Sequence, residues 1–315
     1  MISPTELIDA RSLAGSRVVT PPRVERGKEP LVLGRFDYQR PSTLPEAGRL
    51  LAGNDGPAAV LAGGTDLLVD IRGRRHDPRI LVDIKRIDAL RRLDVDSAGA
   101  LTIGAAVPLN EIIERAAIRR TLPGLVQAAE SIATYQLRNR ATAVGNLCNA
   151  SPAADMAPIL LALGADLMAW SPHGERTMPL SSLFVGVKKT CLAADEIATE
   201  LRILAPEPGL RSGFLKQQRL RGHDLAVSSA AGTYAPSTGV LRLAVGSCAP
   251  TPLLLEPIEV GRSSKAVVEE KAVRAVQAAM RPISDTRASA DYRRAVLPVL
   301  VKRLVADLLA EGGAP

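Results

Sequence analysis

Cysteine, histidine and aromatic residues are scarce in this chain of 315 residues. The three cysteines, Cys148, Cys191 and Cys248, lie far apart and form no C-x-x-C pair, which argues against a disulfide framework and against an iron–sulfur cluster held by this chain. The three histidines are equally scattered and give no metal-binding spacing. Aromatic residues make up only 3% of the chain, which disfavours the stacking platforms used by proteins that bind single-stranded nucleic acid. We expect neither a metal site in this chain nor a nucleic-acid partner.

Long apolar runs are also missing from the sequence. No stretch approaches the roughly 20 apolar residues that a membrane-spanning helix needs. Charged residues interrupt the first 30 positions, where a signal peptide would have its apolar segment. The net charge of +7 is spread along the chain, and 46% of the residues are hydrophobic, enough for a sizeable core. We expect a cytoplasmic protein without a membrane span.

Residues 1–33 have the composition of an N-terminal extension. The segment 20–30 is polar and contains three prolines, which favours an extended chain or a loop. Two interpretations stay open: a surface tail, or an arm that lies on a partner subunit.

From residue 34 onward the pattern is typical of a mixed α/β chain. Apolar spacing and turn residues predict a helix over 44–51, a strand over 58–62 and a second strand over 79–84. Further strands at 101–105, 165–170, 196–203, 214–220, 226–234 and 241–247 are separated by short turns, which favours antiparallel pairing. Helices are predicted at 109–117, 122–132, 153–163, 267–280 and 288–309, the last with a kink or a break at Pro298.

Two segments of small residues are the strongest functional signal. Each places Gly, Ala, Thr or Asn beside an apolar run, where backbone N–H groups approach an anionic ligand with little side chain in the way. Neither is a G-x-G-x-x-G fingerprint or a phosphate-binding G-x-x-x-x-G-K-[ST] loop. An ordinary turn explains the first segment equally well, and capping of turns and of a helix explains Asn146 and Asp155 in the second. The segments are Leu61-Ala62-Gly63-Gly64-Thr65-Asp66-Leu67 and Thr142-Ala143-Val144-Gly145-Asn146, with Asp155 thirteen residues after Thr142.

The two segments together match a known pattern. The combination A-G-G-T-D-L and R-N-x-A-T-x-x-G-N-x-x-N-A-S-P-x-x-D resembles the FAD-binding medium subunit of molybdenum hydroxylases, the group of carbon monoxide dehydrogenase and xanthine dehydrogenase. Further matches are Tyr38-Gln39-Arg40-Pro41, the strand Phe214-Leu215-Lys216-Gln217 that leads to His223-Asp224-Leu225-Ala226, and the run Pro282-Ile283-Ser284-Asp285-Thr286-Arg287-Ala288-Ser289 before Tyr292-Arg293-Arg294. The resemblance extends from about Phe36 to Leu309.

The resemblance implies an α+β protein with a two-lobed FAD-binding fold of the vanillyl-alcohol-oxidase (PCMH) type. It divides the chain into the extension 1–33, a small α/β lobe 34–90, a central lobe 91–208 and a C-terminal α/β subdomain 209–315, like that of carbon monoxide dehydrogenase flavoproteins. FAD would lie between the first two lobes. The two segments would hold its diphosphate, and Asp155 would bind ribose or ribityl hydroxyls. Ile197 and Ala198 would line the adenine end, with Lys216 and Leu225 near the isoalloxazine; a solvated strand-edge charge and a core residue are the plain alternatives for these last two.

The resemblance also implies partner chains. A large subunit would carry the molybdenum-pterin cofactor and a small subunit the [2Fe-2S] clusters, with a dimer of heterotrimers as the expected assembly. Electrons would pass from the clusters through FAD to NAD⁺, oxygen, a quinone or another acceptor. No obvious catalytic pair accompanies Lys216, His223 and Asp224, so no catalytic residue is assigned.

One position departs from the family pattern. Where the family has T-x-G-G-N, this chain has valine at position 144, and a β-branched residue at φ > 0 costs on the order of 1–3 kcal/mol. We expect an adjusted or weakened flavin site. A flavin-free docking subunit and a stand-alone flavin oxidoreductase of the same fold stay open as alternatives. Cys148 is expected to be a small packing residue and not an attachment point for the flavin.

Overall fold

The computed structural model describes residues 35–53, 56–220 and 222–310. The predicted extension 1–33 lies outside these residues. The predicted boundaries at 33/34, 90/91 and 208/209 stay predictions, although the sheets described below follow one another in the same order along the chain.

The first lobe is a three-stranded parallel sheet with two short helices. Strand β2 pairs with β3 in a register that places Leu61 opposite Asp83, and β1 pairs with the other edge of β3. Thr43 caps the first helix, because its hydroxyl accepts a hydrogen bond from the Glu46 N–H. The elements are β1 (Asp37–Gln39), α1 (Leu44–Ala52), β2 (Ala58–Leu61), α2 (Leu67–Arg72) and β3 (Ile80–Asp83), followed by 3-10 turns at Ile84–Arg86 and Asp88–Arg91.

The central lobe is a five-stranded antiparallel sheet covered by helices. The strand order β4-β5-β10-β6-β7 brings β10, distant in sequence, between β5 and β6. A two-stranded hairpin, β8-β9, lies outside this sheet. The elements are β4 (Leu93–Val95), β5 (Leu101–Gly104), α3 (Leu109–Glu114), α4 (Ala116–Thr121), α5 (Pro123–Glu130), α6 (Tyr135–Arg138), α7 (Ala143–Cys148), α8 (Met156–Ala162), β6 (Asp166–Ser171), β7 (Gly174–Pro179), β8 (Phe184–Gly186), β9 (Lys189–Thr190) and β10 (Ile197–Ile203).

The C-terminal region packs two helices on an antiparallel sheet. Its strands follow the order β11-β12-β13-β14, with β15 also paired to β13. The last helix continues through Pro298 without a break. The elements are β11 (Arg211–Gln217), β12 (Ser228–Ala235), β13 (Val240–Gly246), β14 (Leu253–Leu254), β15 (Ile258–Glu259), α9 (Lys265–Ala279) and α10 (Ala290–Leu308).

The C-terminal sheet is attached directly to the central lobe. The Gly124 N–H donates to the Ser212 hydroxyl at 3.0 Å, and the Phe214 N–H donates to the Gln127 side chain at 2.9 Å, so that β11 lies against α5. A Cβ on Gly124 would come within 2.6 Å of the Gly213 nitrogen, which explains the glycine at this contact. The contact places the end of β11 beside the start of α8.

Most predicted elements are confirmed to within a few residues, and the antiparallel pairing is confirmed as well. Two differences matter for the site. The predicted helix 109–117 is two short helices, α3 and α4, and the second small-residue segment is not a loop but contains the helix α7.

Candidate functional site

The first small-residue segment, residues 61–67, is a turn between β2 and α2. Gly63 lies directly on the backbone of the two residues that precede the second segment, because a Cβ there would come within 2.1 Å of the Arg140 carbonyl oxygen and 3.0 Å of the Ala141 Cα. Gly64 has φ +74°, a conformation that glycine adopts without strain. Within the described residues, the N–H groups of Gly63, Gly64 and Thr65 make no hydrogen bond. This glycine turn therefore presents three unpaired donors.

The second segment begins with a capped helix. The Thr142 hydroxyl accepts a hydrogen bond from the Gly145 N–H at 3.0 Å, which makes Thr142 the N-cap of α7. The Asn146 side-chain oxygen accepts from the Met156 N–H at 3.3 Å and so joins α7 to the start of α8. Helix capping is thus one role of Asn146, as the plain alternative stated.

The structure removes the reason to expect strain at Val144. This residue is the second of α7 and is absent from the positive-φ residues. Its side chain is 2% exposed and belongs to the main hydrophobic core. The conformational penalty considered for a β-branched residue at φ > 0 therefore does not arise, and the valine side chain packs among apolar core residues.

Asp155 and Lys216 form a buried ion pair. Lys216 Nζ lies 2.7 Å from Asp155 Oδ2, and the two side chains are only 5% and 6% exposed. Lys216 Nζ also donates to the Ser131 carbonyl at 3.1 Å. Lys216 is therefore a buried partner of Asp155 and not a solvated strand-edge charge.

One oxygen of Asp155 has no partner. Asp155 Oδ1 is a buried acceptor without a hydrogen bond among the described residues, and the side chain does not cap α8. Burial raises the pKa of the Asp155 carboxyl to about 6, and the charge and hydrogen bond of Lys216 oppose this rise. An unpaired buried acceptor costs free energy unless a donor arrives, so Asp155 fits a ligand that offers a hydroxyl.

The two segments and this pair surround one cavity of about 250 Å³, the inner cavity. The fold brings only some of the predicted site residues to this cavity, and their roles in binding stay predictions. Six of them line it: Thr65, Asp66, Asn146, Asp155, Lys216 and Leu225.

A larger cavity of about 580 Å³, the outer cavity, adjoins the inner one. Ala133, Lys216 and His223 line both cavities, and Arg138 and Tyr135 line the outer cavity alone. Arg138 donates to the carbonyls of Glu130, Ile132 and Ala133. The Arg138 NH1 group is therefore already hydrogen-bonded to backbone carbonyls of residues 130–133, next to the two cavities.

A short loop from the C-terminal sheet closes one side of the inner cavity. The Asp224 carboxylate accepts hydrogen bonds from the Arg219 guanidinium at 3.2 Å and from the Leu225 N–H at 2.9 Å. The Arg219 hydrogen bond lowers the pKa of the Asp224 carboxyl to about 2. Leu225 is 58% exposed and lines the cavity, so it is not a core residue.

The comparison with known families decides the identity of this arrangement. The family model described as "FAD binding domain in molybdopterin dehydrogenase" matches residues 34–206, and the model "CO dehydrogenase flavoprotein C-terminal domain" matches residues 214–308. The chain belongs to this flavoprotein family. The α+β fold class and the family resemblance read from the sequence are thereby confirmed.

Individual relatives agree over nearly the whole chain. The xanthine dehydrogenase FAD-binding subunit of Escherichia coli O157:H7 is 32% identical over 88% of this chain and 97% of that protein. The carbon monoxide dehydrogenase medium chain of Hydrogenophaga pseudoflava is 34% identical over 85% and 95%. A solved structure of carbon monoxide dehydrogenase from Hydrogenophaga pseudoflava, lacking the molybdenum-pyranopterin moiety, matches with a TM-score of 0.82 at 32% identity, covering 87% of this chain and 97% of that one.

Some predicted residues of the flavoprotein site lie elsewhere. Ile197 is in β10, opposite Trp170, with its side chain 1% exposed in the main core, and it lines neither cavity. Burial raises the pKa of the Cys148 thiol to about 12, and this residue packs against the main core, which agrees with the packing role. The predicted role of Ile197 at the adenine end of the flavin stays a prediction.

Sequence reasoning missed several lining residues. Ile132, Leu137, Asn149 and Ser151 line the inner cavity, and Ala133 lies between the two cavities with φ +46°. An alanine with positive φ is strained, and such strain is concentrated at ligand sites. The alanine side chain gives no sequence signal for this conformation.

The described residues offer neither a group of metal ligands nor a membrane-spanning helix. Within residues 35–53, 56–220 and 222–310, no three His, Cys, Asp or Glu residues are grouped so that they could hold a metal ion. Among the helices of the same residues, none has the length and hydropathy needed to cross a membrane.

Proposed function

We propose that this chain is the FAD-binding electron-transfer subunit of a heterotrimeric molybdenum hydroxylase. In this proposal it links iron–sulfur clusters on a small partner chain to an external electron acceptor, and a large partner chain carries the molybdenum-pterin cofactor. The family membership supports the FAD-binding role, and relatives named as subunits of xanthine and carbon monoxide dehydrogenases support the multi-chain assembly. Bound FAD supplies a redox centre that exchanges electrons singly or in pairs.

The observation that carries the proposal is the unpaired Asp155 oxygen beside the glycine turn. A dinucleotide needs backbone donors for its diphosphate and an acceptor for its sugar hydroxyls. The buried Asp155 Oδ1 and Thr65, whose N–H group has no partner among the described residues, are both at the inner cavity. The unpaired N–H groups of Gly63 and Gly64 directly precede Thr65 in the same turn. The residues present therefore fit FAD.

Each group has a defined task in this site. Gly63 and Gly64 bind the diphosphate through their N–H groups, and Thr65 adds a hydroxyl donor. Asp155 accepts a ribose or ribityl hydroxyl, while Lys216 keeps the Asp155 carboxylate charged and oriented. Leu225 and Ile132 supply apolar surface at the inner cavity that excludes water from one side of the ligand.

The substrate would be chosen elsewhere in the complex. Relatives of similar identity act in dehydrogenases for molecules as different as xanthine and carbon monoxide. Among the described residues that line the inner cavity, no two side chains form a general acid–base pair. Lys216 and Asp224, two charged residues of this lining, are each already held in an ion pair, with Asp155 and Arg219 respectively.

The test is to purify the chain alone and co-expressed with its large and small partner chains. Visible flavin absorbance and identification of the nucleotide released on denaturation should give one FAD per chain in the complex. Substrate should reduce this flavin only when both partner chains are present. A colourless complex would contradict the proposal in favour of a docking subunit, and flavin reduction by a small substrate with the chain alone would favour a stand-alone oxidoreductase.

A further inference from the structure

The glycine turn is contacted on the side of β3 by a cluster of three polar residues built around the buried Asp83. Lys85 Nζ donates to the Ala62 carbonyl oxygen at 2.9 Å, across 23 residues of sequence. Neither cavity is lined by Lys85, Asp83 or Tyr38. These three residues, the turn anchor, therefore act on the turn and do not touch the space in which the ligand would lie.

Asp83 fixes the position of the Lys85 ammonium. Its carboxylate lies 2.6 Å from Lys85 Nζ, accepts the Lys85 N–H at 3.0 Å, and accepts a hydrogen bond from the Tyr38 hydroxyl. Burial of Asp83 opposes its charge, but hydrogen bonds from Lys85 and Tyr38 outweigh this effect and lower the pKa of the Asp83 carboxyl. The Asp83 side chain is 2% exposed and that of Lys85 is 26% exposed, so the pair is shielded from solvent.

The strand register explains why the anchor reaches the turn. Leu61 is opposite Asp83 in the parallel pair β2–β3, so both chains leave the sheet at the same edge. Asp83 caps the 3-10 turn that follows, which places Lys85 next to Ala62. Lys85, two residues after the end of β3, therefore reaches the carbonyl of Ala62, the first residue after the end of β2.

Fixing one carbonyl fixes the neighbouring amide. The peptide unit between Ala62 and Gly63 is planar and trans, so the Ala62 C=O and the Gly63 N–H point in opposite directions. Lys85 holds the carbonyl on the side of the anchor, and the Gly63 N–H therefore faces away from the anchor without a partner. On its other side Gly63 rests on Arg140 and Ala141, which limits any rotation of this peptide.

We propose that Lys85, held by Asp83 and Tyr38, is a positioning residue that orients the Gly63 N–H toward the diphosphate of the bound dinucleotide. This inference rests on the proposed FAD-binding function. Without Lys85 the Ala62 carbonyl loses its donor, and the free turn samples orientations in which the Gly63 N–H is not directed at the ligand. Binding of the ligand must then also order the turn.

The experiment compares FAD affinity and local backbone protection in the unmodified chain and three variants, each purified as the full chain and stripped of flavin. Lys85→Met removes the ammonium and keeps most of the apolar stem. Lys189→Met changes an exposed lysine of β9 that makes no ion pair among the described residues, and so controls for charge. Ile80→Val truncates a buried residue on the same strand as Asp83 and controls for loss of stability in this lobe.

Lys85→Met is expected to weaken FAD binding about tenfold, the effect of losing one hydrogen bond from a charged donor. It is also expected to increase amide hydrogen exchange in a peptide covering residues 61–67. Both controls should bind FAD as the unmodified chain does. Unchanged affinity in Lys85→Met, or an equal loss in Ile80→Val, would overturn the positioning role while leaving FAD binding intact. Absence of FAD binding by the unmodified chain, alone and in the complex, would instead contradict the proposed function on which the inference rests.

Discussion

The glycine turn and the segment 142–155 bound the same cavity, but they hold their shapes in different ways. The turn depends on backbone contacts, with Gly63 against Arg140 and Gly64 at positive φ. The second segment depends on side-chain hydrogen bonds, from the Gly145 N–H to Thr142 and from the Met156 N–H to Asn146. Side chains are therefore excluded at Gly63 and Gly64 of the turn, whereas the side chains of Thr142 and Asn146 are part of the structure of the second segment.

This contrast accounts for the valine at position 144. A side chain is accepted there because α7 turns it into the core, 2% exposed. The same addition at Gly63 would strike backbone atoms that cannot move aside cheaply. Positions 63 and 144 both lie in segments of small residues, but a side chain fits at position 144 and does not fit at position 63.

The largest effect on flavin affinity is expected for Gly63→Ala. The new Cβ would lie 2.1 Å from the Arg140 carbonyl oxygen, so the turn must move away from the backbone that precedes the second segment. We expect a loss of FAD affinity of about a hundredfold and a fall of about 1–3 kcal/mol in the free energy of unfolding. Titration with FAD and thermal unfolding measure the two effects. Gly186→Ala is the matched control, since its Cβ would meet nothing closer than 3.9 Å; equal behaviour of the two variants would contradict the packing argument.

Asp155→Asn is expected to weaken FAD binding about tenfold. The amide keeps the shape of the side chain and a partner for Lys216, but it removes the charge that strengthens a hydrogen bond from a ligand hydroxyl. Equilibrium binding of FAD to the stripped chain measures the change. Asp166→Asn on β6, outside both cavities, should leave the affinity unchanged; a parallel loss in that variant would show a general effect of charge.

A smaller effect is expected from pH, about a fourfold loss of FAD affinity between pH 7.5 and pH 5.5. Burial raises the pKa of Asp155 from 3.8 to about 6, so the free protein protonates this carboxyl over that interval. A ligand hydroxyl favours the carboxylate, and affinity therefore falls as pH falls. The stability of the flavin-free protein has the opposite dependence on Asp155. Its contribution is complete below about 3.8 and is lost as pH rises through about 6. FAD titrations across this range should show the dependence in the unmodified chain and a flat profile in Asp155→Asn.

The smallest effect on affinity is expected for Val144→Gly, which introduces the glycine found at this position in the family pattern. Because Val144 packs in the core, the change should lower the free energy of unfolding by about 2–4 kcal/mol. It should alter FAD affinity by less than about threefold, since the side chain does not line the inner cavity. Chemical unfolding and FAD titration measure both quantities. A clear gain in affinity would show that valine crowds the ligand after all.

The sequence was sufficient for the elements of the site that have a local signal. The glycines of the turn, Asp155 and Lys216 stand in recognisable motifs, and the fold brings Asp155 and Lys216 to the inner cavity together with Thr65 of the turn. Other features depend on tertiary contacts. The helix α7 is too short to show a periodic pattern in the sequence. The positive φ of Ala133 cannot be recognised from the sequence, because alanine is common and rarely adopts this conformation. The hydrogen bond from Lys85 to Ala62 depends on the register of β2 and β3. Ile197 is an apolar residue implied as ligand lining whose side chain lies in the core, and its role at the adenine end stays a prediction.

The most direct test of the proposed FAD site is a structure of the FAD-loaded chain at a resolution that places individual oxygen atoms. We expect a sugar hydroxyl of FAD within hydrogen-bond distance of Asp155 Oδ1 and the diphosphate beside the N–H groups of Gly63 and Gly64. A dinucleotide bound elsewhere, or one that leaves Asp155 Oδ1 without a partner, would contradict this proposal.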